Sequence, residues 1–428
     1  MGSSVKRYIL FTALFYWCLA AGSNSSIVFA SANGNEARWP PFEISKPRPV
    51  TRTPGHHFFG YFDITPWDAT GRYMLTLKTS FHDRMPQEAD KAVIGLVDLQ
   101  DNRNFIPVTE THAWNFQQGA LQRWLPSAPD RLIIYNDRQG DDVYSVILDV
   151  WTGEKRRLPL PISDITHDGT RALSINYARL RRLRPVIGYP GLKDPTDGIA
   201  QPADDGVWSM DLQTGEHKLL VSIKDVADAY RGETKLAGKT MWLSHTHHNP
   251  SGTRFLFLAR FLTALQAFDT AMFTADATDG GDLRMVIDFG NGISHFGWID
   301  DHTIIATMDL FDRGKGSSHV SLPDKDGTTD YTPIGEGILT EDGHPTISPD
   351  GRWLVTDTYP NAKQEQTLHL LDLHTGRHKV LGTFQHPLRY FSALRCDLHP
   401  RWNRDGDMLS FDSLDGKGRQ MYIISLTP

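Results

Sequence analysis

The sequence predicts an all-β protein, a single-domain seven-bladed β-propeller, from two features that recur along its 428 residues. One is a strand, a tight turn rich in Pro, Asp and Gly, and a second strand, seen most clearly over residues 342–357. The other is an apolar strand that ends in an Asp-turn-Gly hairpin. Four short strands in a unit of about 50 residues, without a long helical period, fit a propeller blade better than a βαβ unit.

Seven copies of the first feature follow one another along the chain. Pro and Gly fix each reversal, and alternating apolar residues on either side have the period of a half-buried strand. The turns lie at residues 68–71, 128–130, 167–169, 249–252, 300–301, 348–351 and 403–406. We therefore expect one domain over residues 33–428, in which the segment near Lys46 to Arg52 pairs into the last blade and closes the ring.

The N-terminus is predicted to be a signal peptide over residues 1–32. Lys6 and Arg7 precede an apolar run over residues 8–21, and Ala30-Ser31-Ala32 offers a small-residue cleavage site. The run is too short for a comfortable membrane span, so we expect no stable membrane insertion. The mature protein is then expected to be secreted or periplasmic, with Cys396 as its remaining cysteine and no internal disulfide.

The formal net charge of −7 argues against nucleic acid as a partner, so an anionic ligand would require a locally basic site. Arginine clusters in Arg179-Leu180-Arg181-Arg182-Leu183-Arg184, within an insertion that runs to residue 206. The insertion is too long for a plain hairpin, and such loops frequently carry function. It is either a binding element or a solvated surface loop.

Four histidines occupy equivalent places in the last four units: His245, His295, His344 and His399, at separations of 50, 49 and 55 residues. Equivalent positions on successive blades converge at one mouth of the central channel. Strand propensity gives no reason for histidine at one offset four times, so a structural explanation would need four separate packing roles. Converging imidazoles suit a divalent cation such as Zn²⁺ or Mn²⁺, and we predict that His295, His344 and His399 bind one.

Several motifs in these units resemble those of a known family. The chain, over roughly residues 50–426, resembles the seven-bladed propeller polysaccharide lyases, which include oligogalacturonate lyases and ulvan lyases, and it is similar to TolB-like propellers. The motifs are His56-His57-Phe58-Phe59-Gly60-Tyr61-Phe62-Asp63, His245-Thr246-His247-His248-Asn249-Pro250, Ser294-His295-Phe296, Gly343-His344-Pro345 and Cys396-Asp397-Leu398-His399-Pro400-Arg401-Trp402. Cys396 in the last motif is either a ligand or a buried small hydrophobe.

The resemblance implies β-elimination on a uronic-acid-containing glycan, an anionic polysaccharide or oligosaccharide. A cation or an arginine neutralises the uronate carboxylate, a His or Tyr removes the C5 proton, and the 4-linked sugar leaves. Carried over by position, His344 and His399 would be metal ligands, and His295 would be either a ligand or the base. Arg260 would neutralise the carboxylate, and the cofactor would be a divalent metal, Zn, Mn or Ca.

The base is expected to be His245 or His247, which alternation places on one strand face, with His295 in reserve. Arg123, on the second blade where later blades have histidine, is a second candidate to bind the carboxylate.

Ulvan lyases of this family place catalytic histidines on the second blade, where this chain has Gln122, Arg123 and Tyr144 instead. Tyr189 could match their catalytic tyrosine. Tyr144 and Tyr177 are further candidates to bind substrate or to act as the base.

A second class of function remains open, a non-catalytic TolB-like propeller that binds a glycan or an envelope protein. Histidines in register favour the lyase, because a flat binding face does not need titratable groups at one offset. A glycoside hydrolase would need a pair of carboxylates at a defined separation, and no acidic position repeats in that way. We expect the protein to act as a monomer.

Overall fold

The computed structural model describes residues 39–101, 103–230, 236–263, 267–310, 316–414 and 418–427. By internal contacts the chain divides into a unit of residues 1–41 and a unit of residues 42–428. The signal peptide predicted over residues 1–32 lies outside the described residues. Where the structure describes the chain, it contains no helix of the length and apolarity that crossing a membrane requires.

The described residues between 42 and 427 form seven antiparallel sheets, six of four strands and one of five, which confirms the predicted seven-bladed propeller. Blade 1 contains β3 (His56–Phe58), β4 (Tyr73–Thr79), β5 (Ala92–Asp98) and β6 (Asn104–Thr111). Blade 2 contains β7 (Arg123–Trp124), β8 (Leu132–Gln139), β9 (Asp142–Asp149) and β10 (Lys155–Leu158). Blade 3 contains β11 (Asp164–Ile165), β12 (Arg171–Ser174), β13 (Gly206–Asp211) and β14 (His217–Ser222). In blades 1 to 6 the strands are paired in chain order, so each of these blades is a meander.

Blade 4 contains β15 (Met241–His248), β16 (Arg254–Leu262), β17 (Phe268–Asp276) and β18 (Arg284–Ile287). Blade 5 contains β19 (Phe296–Trp298), β20 (Thr303–Asp309), β21 (Ser317–Pro323) and β22 (Thr332–Ile334). Blade 6 contains β23 (Thr346–Ile347), β24 (Trp353–Asp357), β25 (Glu365–Asp372) and β26 (His378–Gln385). Blade 7 contains β27 (Arg401–Trp402), β28 (Met408–Ser413) and β29 (Gln420–Thr427), together with β1 (Glu43–Ile44) and β2 (Arg48–Pro49). Short 3₁₀ helices at Leu388–Tyr390 and Ser392–Leu394 connect blades 6 and 7.

The Asp-turn-Gly hairpins between the two outer strands of a blade have a common hydrogen-bond pattern. In Asp149, Asp211 and Asp372 one carboxylate oxygen accepts the backbone N–H groups two and three residues further on. An aspartate that satisfies the turn's own N–H groups favours the reversal at that point. This explains why the acidic residue recurs with the glycine in the sequence.

The insertion of blade 3 contains a helix, α1 (Tyr177–Leu183), and a second helix, α2 (Ile223–Ala229), follows β14. The side chain of Asn176 caps α1 by accepting the N–H of Arg179. Arg179 is 1% exposed, and its guanidinium donates to the carbonyl groups of Met241, Ile199 and Ala200. The insertion is therefore fixed against the start of blade 4, which sets the position of the arginines that follow.

The ring is closed by the N-terminal strands, as predicted. Glu43 pairs with Thr427, and Arg48 pairs with Ile423, so both ends of the chain share blade 7. A second link lies near the centre, where the carboxylate of Asp412 accepts the N–H groups of Phe59 and Gly60.

Removing the central carboxylate should destabilise the ring. Asp412 is 2% exposed and forms an ion pair with Arg401, which is fully buried, at 3.1 Å. Because Asp412→Ala leaves that guanidinium unpaired, we expect the free energy of unfolding to fall by about 3 to 5 kcal/mol. Denaturant unfolding measures it. The exposed neighbour Asp405→Ala is the matched control, and a loss no larger than the control's would contradict this role of Asp412.

Candidate metal centre and active-site cavity

A cavity of about 990 Å³ lies where the innermost strands of blades 4 to 7 begin. All four histidines of the predicted arc line it, because each lies in or just before the innermost strand of its blade. Arginines from the blade 3 insertion and from the strands of blade 4 line the same cavity.

The loop after β3 forms the floor of this cavity. The ring centroid of Phe62 lies 5.2 Å from that of His344, and the centroid of Tyr61 lies 6.3 Å from that of His399. Gly60 has a φ of +104°, and a Cβ there would lie 2.4 Å from the backbone nitrogen of Gly119, so only glycine fits. Tyr61 and Phe62 also line a smaller cavity beneath, and they separate the two.

His344 and His399 face each other through their Nε2 atoms, which are 3.1 Å apart. Nδ1 of His344 lies 2.8 Å from Asp357 Oδ1, and Nδ1 of His399 contacts the carbonyl oxygen of Gly60. Each Nδ1 therefore carries the hydrogen, which leaves the two Nε2 lone pairs directed at one another. Two facing lone pairs repel unless a positive charge lies between them.

Asp357, 1% exposed, positions both histidines although they belong to neighbouring blades. One of its oxygens accepts the N–H of His344 at 2.8 Å, and the other accepts the N–H of His399 at 3.0 Å. Gly343 allows this approach, because a Cβ there would lie 1.9 Å from the carbonyl oxygen of Asp357. The glycine of the Gly-His-Pro motif in blade 6 is therefore required because a side chain at that position would collide with the backbone of Asp357.

Asp397 completes the group. One ligand atom from each of His344, Asp397 and His399 can be chosen so that all lie within 4.8 Å of one another. Burial opposes ionisation of Asp397, but Arg395, which donates to both of its oxygens, and the two histidines outweigh it, so its pKa is lowered.

The electrostatics of the pair favour a bound positive charge. Burial disfavours the imidazolium of His344, but the carboxylate of Asp357 outweighs it and the pKa of His344 is raised. Burial and the charge of His344 lower the pKa of His399. Two imidazole nitrogens and one carboxylate, with the imidazoles oriented by outer hydrogen bonds, are a donor set that fits Zn²⁺ or Mn²⁺. The residues therefore fit a divalent cation.

His295 lies beside this group without belonging to it. Its ring centroid is 3.9 Å from that of His344, but Nδ1 lies 3.1 Å from Asp342 and Nε2 lies 3.4 Å from the hydroxyl of Tyr359. The third residue of the group is therefore Asp397, whereas the sequence pattern predicted His295.

His245 and His247 do not share one strand face, and that expectation is wrong. The pairing of β15 with β16 shifts between Ser244 and His247, and His245 has a φ of +56°. Such a bulge breaks the alternation of side chains. His245 lines the large cavity, whereas His247 lies in the smaller one with Nε2 3.9 Å from Asp63.

Arg260 lines the large cavity next to His245. Its Nε donates to Thr270 Oγ1 at 3.1 Å. Burial, and then the nearby Arg184, lower the pKa of Arg260 to about 9. Burial, and then Arg260, lower the pKa of His245 well below its ordinary value, so this imidazole is neutral at neutral pH.

The other predicted site residues lie outside the large cavity. Arg123 is buried beneath the floor and forms an ion pair with Asp164 at 2.9 Å. Tyr144 lies on an outer strand of blade 2, where the guanidinium of Arg157 lies 3.7 Å above its ring. These contacts give both side chains partners in the fold.

Tyr177 and Tyr189 stack on each other in the core with ring centroids 4.4 Å apart. The hydroxyl of Tyr177 donates to the carbonyl of Ile162, and the hydroxyl of Tyr189 accepts from the amide of Asn136. Because they are 1% and 0% exposed, neither can reach a ligand in the cavity.

Sequence reasoning missed Asp397 and Tyr359, which line the cavity, and Asp357, which positions two of its histidines. Asp397 lies two residues before His399 within the motif that drew attention to Cys396, so its spacing was a usable signal. Asp357 is the last residue of β24 and Tyr359 lies two residues beyond it, and nothing in the local sequence distinguishes them. Cys396 is a buried thiol that is not in the metal-binding group.

Fold and geometry define a seven-bladed propeller with a histidine-lined cavity and a candidate metal centre. No known protein family matches the sequence, and no curated protein is detectably similar to it. Solved structures are similar in fold. An oligogalacturonate lyase from Vibrio parahaemolyticus has a TM-score of 0.61 at 15% identity, covering 90% of this chain and 98% of that one.

An oligogalacturonate lyase in complex with manganese also has a TM-score of 0.61, at 16% identity, covering 90% of this chain and 96% of that one. TolB from Acinetobacter baumannii has a TM-score of 0.42 at 15% identity, with coverages of 84% and 81%. At these identities the likeness to the two lyases shows a shared propeller fold.

The metal centre can be tested by titrating Mn²⁺ or Zn²⁺ into chelator-treated protein in a calorimeter. We expect one equivalent to bind, and we expect His344→Ala to abolish binding. Asp357→Asn should weaken it by about 10- to 100-fold, because the outer carboxylate orients the imidazole. His247→Ala, a histidine beneath the floor, is the matched control and should bind normally. Unchanged affinity in Asp357→Asn would contradict the arrangement described above.

Proposed function

We propose that the protein is a polysaccharide lyase that cleaves a uronic-acid-containing glycan by β-elimination. The observation that carries the proposal is that one cavity holds a candidate metal centre, the neutral imidazole of His245 and the unpaired end of Arg260. The formal net charge of the chain is −7, so guanidinium groups concentrated in one cavity favour an anionic ligand there. The similar fold of oligogalacturonate lyases, one of them solved with manganese, supports a uronate substrate and makes Mn²⁺ the first metal to test.

The reaction requires stabilisation of the negative charge that develops when C5 of a uronate loses its proton. A divalent cation held by His344, His399 and Asp397 would supply positive charge to the uronate carboxylate. The Nη groups of Arg260 would bind the same carboxylate, and their planar geometry matches it. The two charges together would make the C5 proton more acidic.

His245 is the base that the geometry favours. Its Nδ1 lies 2.8 Å from Ser244 Oγ, and donation to that oxygen leaves the Nε2 lone pair to take the C5 proton. The leaving oxygen needs a proton, and Tyr359 can donate one from the same cavity. Burial, and then the carboxylates of Asp342 and Asp397, raise the pKa of Tyr359, which keeps its hydroxyl protonated.

We place this activity outside the cytoplasm, on the basis of the targeting pattern in residues 1–32. The alternative, a propeller that binds a glycan or an envelope protein without cleaving it, makes a different prediction. It requires that a bound glycan be recovered intact.

The ultraviolet absorbance of an unsaturated uronate product measures the reaction on a panel of uronate polymers and oligomers, with added Mn²⁺. We expect turnover on at least one of them. His245→Ala should reduce kcat by about 100-fold or more, the usual scale for a general base. His247→Ala should stay near wild type, because its side chain lies beneath the floor. Absence of product on every polymer, with bound glycan recovered unchanged, would refute the lyase and favour the binding protein.

A further inference from the structure

Two guanidinium groups lie on the aromatic ring of Phe268 inside the cavity. The Cζ atom of Arg184 is 4.5 Å from the ring centroid, and that of Arg260 is 4.9 Å from it. Arg184 follows α1 in the insertion of blade 3, whereas Arg260 and Phe268 belong to β16 and β17 of blade 4. The pair is therefore assembled only when the insertion is fixed against blade 4.

Neither guanidinium has a carboxylate partner in the described part of the chain. Arg260 is 6% exposed, and its side chain makes one hydrogen bond, from Nε to Thr270, so both Nη groups are left without a partner. Other arginines that line the cavity are paired: Arg182 with Asp194, and Arg395 with Asp397. Arg181, Arg184 and Arg260 line the cavity without an ion pair among the described residues, and of these Arg184 and Arg260 lie on the same aromatic ring.

Holding two such charges close together is unfavourable unless anionic groups compensate them. Burial lowers the pKa of Arg184, as burial and Arg184 itself do for Arg260. The face of one aromatic ring compensates only partly for the lost water. A buried Arg260 with two free Nη groups directed into a cavity is a built receptor for a carboxylate or a sulfate ester.

The two arginines lie at different depths in the site. Arg260, on β16 beside the strand of His245, is buried, whereas Arg184 is partly exposed. Arg184 is followed by Pro185, which is exposed, so it lies towards the outside of the cavity. One anionic group at His245 and Arg260 thus leaves Arg184 free for a second.

We propose that Arg184 binds the negative group of the neighbouring sugar unit, so that the preferred ligand is a glycan with anionic groups on adjacent units. The proposal rests on the proposed function in taking the ligand to be a glycan. It adds a specificity-determining residue and requires two anionic groups, carboxylates or sulfate esters, on consecutive sugars.

Binding in a calorimeter tests the proposal apart from catalysis, in the His245→Ala background where cleavage is strongly slowed. The probes are galacturonate, digalacturonate and the monomethyl ester of digalacturonate. We expect Arg184→Gln to weaken digalacturonate binding by about 10- to 100-fold, the scale of a charge-assisted hydrogen bond, and to change galacturonate binding by less than about twofold. With Arg184 intact, the monomethyl ester should bind at least about tenfold more weakly than the free diacid.

Arg184→Lys keeps the charge but lacks the planar guanidinium, so we expect its affinity for digalacturonate to lie between those of the wild-type residue and Arg184→Gln. A sulfated disaccharide with one uronate identifies the second group, because the tighter of the two dianions assigns it as carboxylate or sulfate ester. Equal losses for galacturonate and digalacturonate, or no loss for either, would overturn the proposal. If Arg184→Gln weakens digalacturonate binding selectively but no product forms in the absorbance assay, the binding role of Arg184 stands and the lyase proposal fails. If product forms but Arg184→Gln does not weaken digalacturonate binding selectively, the lyase proposal stands and the role of Arg184 fails.

Discussion

Strands β1 and β2 pair with β29, and the carboxylate of Asp412 accepts N–H groups from Phe59 and Gly60, so blade 7 and blade 1 are joined both at the rim and near the centre. The cavity depends on this closure. Its histidines come from blades 4 to 7, but its floor comes from the loop that follows the first strand of blade 1. An open ring would leave the imidazoles without the aromatic floor and His399 without the carbonyl of Gly60.

Within the closed ring, hydrogen bonds to each Nδ1 decide what the imidazoles can do. Asp357 holds His344, Gly60 holds His399 and Asp342 holds His295, so every Nε2 is directed inward. The Nε2 atoms of His344 and His399 face each other beside the carboxylate of Asp397, and this arrangement favours a bound cation. Where one meets a tyrosine hydroxyl, a proton donor is oriented. One residue type at one repeated offset therefore has different chemical surroundings in different blades.

The opposite side of the cavity has its own source of specificity. Arg179 anchors the insertion of blade 3, and this places the guanidinium of Arg184 on the ring of Phe268. The guanidinium of Arg260 lies on the same ring. A candidate cation centre on one side and unpaired guanidinium groups on the other would suit an extended polyanion better than a single small acid. The chain thus combines an acidic overall charge with unpaired guanidinium groups in one cavity.

The sequence by itself determined the blade count, the closing strand and the four histidines in register, because turn chemistry and hydrophobic period are local and repeat with every unit. It could not place His247, since a one-residue bulge with a positive φ at His245 reverses the alternation, and that bulge has no local signature. Nor could it show that Tyr177 and Tyr189 are stacked in the core or that Arg123 pairs with Asp164. The tyrosine stack lies within the long insertion of blade 3, whereas the pairing of Arg123 with Asp164, of Asp357 with His399 and of Arg184 with Arg260 brings together residues from different blades. Only the closed tertiary structure brings such residues together, because the contacts depend on how neighbouring blades pack rather than on the sequence within any one of them.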